Sequence, residues 1–269
     1  MNAAKRKLIC LEGTIGVGKS TLLERLRQAY AHHDPQAVAM VTEPVKLWQR
    51  HDLLGAMYDG RLNGTCFQQL ALASRCHYLR DALRKRPPPS VIVTERSPWS
   101  DAHVFAKARI TNPHELHCYG LLYELAIDDL VAACDGDLEV IMIYLDAAPD
   151  VAQERVRQRD RSCEEDLPSE VFYALKREHD GLFDLLDEGD DGAKTIIDPW
   201  RRVSVQTRRL DADTLEELDT AFDAVRDLID ANLAKQAPEP VPSPDSSMAK
   251  LQDLDALDEL RVAPDAPDA

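Results

Sequence analysis

The segment Gly13-Thr14-Ile15-Gly16-Val17-Gly18-Lys19-Ser20 constrains this chain more than any other, because it meets G-x-x-x-x-G-K-[ST] at every fixed position. Its glycines let successive backbone N–H groups turn inward around phosphate oxygens. An apolar run, Lys7 to Glu12, precedes it and a helical pattern, Thr21 to Tyr30, follows, giving strand, loop, helix. The helix adds the positive end of its dipole to the same anion site. In this setting Gly13 through Thr21 would hold a donor's phosphates, with Lys19 pairing with the β- and γ-phosphates and Ser20 ligating Mg2+. The loop alone implies an NTPase or a kinase and no more.

Further short apolar runs at Val38 to Thr42, Val91 to Thr94, Val140 to Leu145 and Val203 to Thr207 read as strands. Helical stretches are predicted at 46–57, 67–85, 100–109, 114–133, 149–160, 168–187 and 213–234. Pro87-Pro88-Pro89 breaks the chain before the third strand. The alternation predicts an α/β fold of the P-loop NTPase type, a five-stranded parallel sheet flanked by helices. A chain of 269 residues suits one globular domain, assigned to 1–235. Residues 236–269 turn Pro/Ser-rich and acidic and read as a tail. Leu251, Leu254, Leu257 and Leu260 recur there at three-residue steps, which suits either a solvated tail or a short helix on an unknown protein partner.

The net charge of −16 argues against a general nucleic-acid binder, since phosphate backbones are held by surplus Lys and Arg. Eight acids and two bases in the tail account for −6, leaving −10 for residues 1–235. Six scattered cysteines form no CxxC pair, as expected in a reducing compartment. With no apolar run of membrane-spanning length and no targeting segment before the first strand, the expectation is a cytoplasmic protein without a membrane partner. His114, His117 and Cys118 lie close together but lack a second cluster at ligand spacing, and read as a helix surface.

Ligands of open parallel sheets gather at the carboxyl ends of the strands. There stand Thr42-Glu43-Pro44-Val45 and Thr94-Glu95-Arg96-Ser97. A carboxylate beside the phosphates can take the proton of an attacking hydroxyl, and an arginine can steady the developing charge, which assigns Glu43 and Arg96. On the helix from Phe67, helical spacing places Phe67, Ala71, Arg75 and Tyr78 on one face with Gln68 and Leu72 beside them, suggesting recognition of a planar group. Arg155 and Arg159, four apart on a helix, and Arg161 just beyond would form a cationic lid on the transferring group.

These motifs together resemble the deoxynucleoside kinase family: GTIGVGKST, EPVKLW at 43–48, MY at 57–58, FQ with a following SR at 67–75, ERSPWSD at 95–101 and RxRQRxR at 155–161. The resemblance runs from about Lys7 to about Leu233. It implies ATP and Mg2+ as donor and metal, Glu43 as general base, Arg96 on the same oxygen, and Glu95 holding Mg2+ through water. It implies that Tyr58 and Glu164 bind the sugar 3′-hydroxyl, that Trp48 and Phe105 flank the base, and that Phe67 stacks on it while Gln68 pairs with its edge. The donor adenine would lie at Asp211-Ala212-Asp213-Thr214, and a homodimer would form through helices. Two departures stand out: Cys163 occupies a place where relatives often carry a glutamate, and the segment between Tyr58 and Phe67 is one residue shorter.

Arg75 and Asp101, with Ala71 nearby, look like those of cytosine- and purine-accepting relatives. An aspartate accepts from an exocyclic amine and an arginine donates to a ring nitrogen, whereas thymine presents an N3–H and a carbonyl that face them poorly. Deoxycytidine, deoxyadenosine or deoxyguanosine is therefore expected ahead of thymidine. A thymidine or broad-specificity kinase is the alternative within the class, and a non-catalytic nucleotide switch the alternative outside it.

Overall fold

The computed structural model describes residues 6–33, 37–134, 138–159, 163–164, 167–188 and 203–236. Arg161 and the acidic tail beyond 236 lie outside them. Five strands, β1 (Arg6–Glu12), β2 (Val38–Val41), β3 (Val91–Glu95), β4 (Leu138–Asp146) and β5 (Val203–Asp211), form one parallel sheet in the order β2-β3-β1-β4-β5. Leu8, Ile9, Cys10 and Leu11 of β1 and Val91, Ile92 and Val93 of β3 are fully buried, as strands covered on both faces must be. Burying each such Leu, Ile or Val contributes roughly 1.5–3 kcal/mol before the cost of ordering the chain.

Helices α1 (Lys19–Ala29), α2 (Val45–Gln49), α3 (Leu53–Tyr58) and α4 (Gly64–Leu83) precede a composite segment. That segment runs through α5 (Pro98–Ser100), a π-helical stretch (Asp101–Ala106) and α6 (Lys107–Arg109). Then follow α7 (Pro113–Ala132), α8 (Pro149–Gln158), α9 (Ser169–Asp187) and α10 (Leu215–Gln236). No helix among the described residues is long and apolar enough to cross a membrane.

Two helical expectations are corrected. The helix read at 46–57 is two, because Asp52 takes a left-handed conformation with φ 53° that a continuous helix does not allow. The break lets Trp48 of α2 and Leu54 and Met57 of α3 turn into one cluster with Phe67 and Ala71 of α4. The helix read at 100–109 starts earlier, at Pro98 behind a Ser97 capping box, and its π-helical middle has a period that sequence spacing does not reveal.

Strand β1 leads to β2 on one side of the sheet, while its neighbour β4 leads to β5 on the other. Their carboxyl ends therefore flank a switch point, where an open α/β sheet leaves a crevice.

Candidate active site

Backbone builds one end of this crevice. Gly13, Gly16 and Gly18 have φ of 134°, 86° and 101°, conformations that disfavour any side chain. A Cβ on Gly16 would sit 2.2 Å from the Ala152 carbonyl oxygen, and one on Gly13 2.6 Å from that of Leu145, so β4 and α8 leave no room for it. Helix α1 begins at Lys19 with no side-chain cap, which leaves its first N–H groups directed at the loop. The buried Lys19 donates from Nζ to the Gly13 carbonyl at 3.0 Å and the Thr14 carbonyl at 2.6 Å. Burial and then Arg96 push its amine down to about 7, against the pull of Glu95, Glu43 and Glu12. Ser20 Oγ donates to Glu95 Oε1 at 2.6 Å, placing a hydroxyl and a carboxylate oxygen side by side.

The two groups expected around the donor meet each other. Arg155 donates from Nη1 to the Ala212 carbonyl at 2.6 Å and from Nη2 to the Asp213 carbonyl at 2.9 Å, while Asp213 accepts from the Ala148 N–H at 2.6 Å. Asp211, Ala212 and Asp213 stand behind the cavity wall, and Leu215 and Leu218 of α10 line it beside Gly18. Sequence reasoning missed these leucines. Their signal was the Thr214-x-x-Glu217 box, whose reciprocal hydrogen bonds start α10 and place both leucines in its first turns.

Side chains build the other end. Glu43, just past β2, lies between Arg75 Nη2 at 3.1 Å and Arg96 Nε at 3.3 Å. Burial pushes its carboxyl up, and Arg96, Arg75 and Lys19 more than reverse this, holding it well below the ordinary carboxylate value. Arg96 also donates from Nη1 to the Gly13 carbonyl at 2.8 Å, tying this end to the phosphate loop. Its φ of 65° makes it, with Asp52, one of two non-glycine residues at positive φ among those described. Such local strain is sustained where surrounding contacts over-determine it, often at functional sites.

Arg75 on α4 is buried and makes a two-pronged pair with Asp101, Nε to Oδ2 at 2.6 Å and Nη2 to Oδ1 at 3.0 Å. Both Asp101 oxygens are thus engaged behind the wall, and Asp101 does not line the cavity. Arg75 does line it, and its buried Nη1 has no hydrogen-bond partner among the described residues.

Trp48 and Phe67 meet edge to face at 5.4 Å, with the Trp48 Nε1–H donating to Ser74 Oγ at 3.1 Å. Gln68, Ala71, Tyr58 and Phe105 complete this wall of a cavity of about 400 Å³. Arg159, expected on the transferring phosphoryl, here pairs with Glu164, expected on the sugar. Arg109, which no sequence signal marked, stacks on Tyr58 at 5.1 Å. Of the remaining expected loop residues, Ile15, Gly16, Gly18, Lys19, Ser20 and Thr21 reach the wall, whereas Gly13, Thr14 and Val17 support it from behind.

The arrangement places a phosphate loop, the Glu43 carboxylate, Arg75 and Arg96, and the aromatic side chains of Trp48, Tyr58, Phe67 and Phe105 along one cavity. The family described as Deoxynucleoside kinase matches residues 9–229. Deoxycytidine kinase 1 of Xenopus laevis is 30% identical over 207 residues, covering 66% of this chain and 74% of that protein. The mitochondrial deoxyguanosine kinase of Xenopus laevis is 28% identical, covering 65% and 72%. Mitochondrial thymidine kinase 2 of Homo sapiens is also 28% identical, covering 65% and 64%. With its phosphate loop and the Glu43 carboxylate on one cavity, and with the family match running through nearly all of the described fold, the chain belongs to the deoxynucleoside kinase family.

Proposed function

We propose that the chain transfers the γ-phosphoryl group of ATP to the 5′-hydroxyl of a deoxyribonucleoside, taking deoxycytidine or a purine deoxynucleoside ahead of thymidine. The observation that carries the reading is Glu43, held ionised between Arg75 and Arg96 on the same cavity as the phosphate loop.

Glu43 accepts the proton of the 5′-hydroxyl, and Arg96 stabilises charge on the oxygen that attacks. Lys19, already turned over the loop, neutralises the donor's phosphates. Ser20 and Glu95 offer hard oxygen donors at 2.6 Å, which suits Mg2+, a cation that keeps waters and takes phosphate oxygens. Bound there, it would neutralise charge on the transferring phosphoryl group. Arg155 braces the loop after β5, where the donor base is proposed to lie against Leu215 and Leu218. Tyr58 and Glu164 bind the sugar 3′-hydroxyl, and Trp48, Phe67 and Phe105 enclose the base.

Base choice falls on Gln68 and Arg75. Arg75 Nη1 is a buried donor without an acceptor among the described residues, which a cytosine or purine ring nitrogen supplies and the thymine N3–H does not. Leaving that donor unpaired costs about 1–3 kcal/mol. Asp101 acts on the base through Arg75, whose orientation it holds.

Turnover of the four deoxynucleosides with labelled ATP tests the reading. A product confined to thymidine would remove the specificity argument, and no 5′-monophosphate from any of them would remove the function.

The reading includes a homodimer. On α7, which packs beside α4, Leu121 and Leu125 are 63% and 67% exposed. A second copy covering this face would bury them. Sedimentation at micromolar concentration should give a dimer, and Leu121→Glu with Leu125→Glu a monomer.

A further inference from the structure

The side chain of Arg96 rests on a column of rings that reaches down into the core. Its guanidinium carbon lies 4.2 Å from the centre of the Phe105 ring. Phe105, on the π-helical stretch, meets His179 of α9 edge to face at 5.7 Å. His179 in turn lies flat on Tyr144 of β4, centroids 5.6 Å apart and planes 11° apart. Tyr144 is stacked on Phe183 at 4.8 Å. The column therefore joins the central sheet and α9 to the arginine at the cavity rim.

His179 is the unusual member. It is fully buried, and its Nδ1 stands 2.8 Å from the Leu175 carbonyl, which can only accept, so Nδ1 carries the proton. Nε2 is buried with no hydrogen-bond partner among the described residues. Charging the ring would add a second N–H without an acceptor, in a site that already faces Arg96, Lys19 and Lys176. The neutral imidazole is thus the stable form, and packing between Phe105 and Tyr144, with the Leu175 hydrogen bond as a lesser aid, holds the ring in place. Phe105, packed edge to face on that ring, lies directly under the Arg96 guanidinium that pairs with Glu43.

We propose that His179 is a positioning residue for phosphoryl transfer, holding Arg96 through Phe105 at the place where charge develops. The inference rests on the proposed part of Arg96 in the transfer. It carries a specific kinetic signature. A guanidinium displaced by a fraction of an ångström matters most in the transition state, so loss of the column lowers kcat and spares KM.

The full-length chain is the test object. His179→Ala should lower kcat about tenfold or more, with KM for nucleoside and for ATP within about twofold. His179→Phe, which keeps a ring in the column, should recover most of that loss. His179→Leu, which fills the space without a ring at a position off the cavity wall, should reproduce the kcat loss and supplies the comparison if His179→Ala fails to fold. An increase in KM at unchanged kcat, or His179→Phe as slow as His179→Ala, would overturn the proposal. The Arg96 Nε–H resonance gives a readout without turnover. It should be sharp and shifted by Glu43 in the unaltered protein, broadened in His179→Ala, and restored in His179→Phe. An unaltered protein that turns over no deoxynucleoside would sink the proposed function, whereas an Arg96 resonance indifferent to His179→Ala would sink the column.

Discussion

The two ends of the cavity, the phosphate loop proposed for the donor and the Glu43 end proposed for the acceptor, are built by opposite means. At the phosphate-loop end the groups come from one short segment, residues 13–20, shaped by three glycines at positive φ and completed by the Lys19 and Ser20 side chains. At the acceptor end they are side chains brought from the end of β2, from α4, from the end of β3 and from the π-helical stretch, each oriented by another's charge. The contrast teaches where each end is vulnerable. A backbone cradle fails when its shape is blocked, and a charge network fails when one member is removed and leaves the others unpaired.

The largest expected effect lies at the acceptor end. Glu43→Gln keeps the shape and removes the proton acceptor, and should cost hundred- to ten-thousandfold in kcat with nucleoside KM nearly unchanged. Steady-state kinetics checks this, and retained turnover would take Glu43 out of the chemistry. Gly16→Ala should sharpen the comparison from the other side. Positive-φ strain and a clash with the Ala152 carbonyl together should cost about 2–4 kcal/mol, read as a fall in thermal stability with loss of ATP binding.

Smaller effects separate recognition from chemistry. Arg75→Met combined with Asp101→Ala removes both members of a buried pair at once, and should raise thymidine turnover relative to deoxycytidine by about tenfold. An unchanged ratio in competition assays would end the assignment of base choice to this pair. Arg155→Ala should raise the KM for ATP by about three- to tenfold and leave the nucleoside KM alone, because its partners are the Ala212 and Asp213 carbonyls. A change in nucleoside KM instead would show that the two ends are not separable.

The smallest effect is on pH. A carboxyl lowered in the folded protein stays ionised as pH falls past its ordinary value of 4.5, so Glu43 should impose no acid limb on kcat/KM down to about pH 4. Arg75→Met removes one of the three cations that lower it and should move that limb upward.

Much of the fold was legible in the sequence. Each of the five runs is a strand; the central ones, β1, β3 and β4, are near-continuously apolar because both faces are covered, whereas the edge strands β2 and β5 are only partly buried. The break at Asp52 and the π-helical stretch were not legible, since both depend on which neighbours Trp48, Asp101 and Phe105 finally pack against. In the site, Glu43, Arg75 and Arg96 could be named from strand ends and helical spacing. That Asp101 would turn away from the cavity to hold Arg75, and that Arg155 would brace a loop, could not. Arg109 carried no signal, because nothing local distinguishes a helix-end arginine that stacks on Tyr58 from one that meets water.

By itself the sequence determined the phosphate loop, since the required φ values and the contiguous N–H groups belong to residues 13–20 and need no distant partner. Only the tertiary structure decided the acceptor end. Which of Arg75, Arg96 and Asp101 faces Glu43, and whether Arg96 rests on Phe105 and His179, depends on strand order and on packing between residues far apart in the chain. A charge is oriented by whatever lies within a few ångströms of it, and the chain reaches that neighbourhood only by folding.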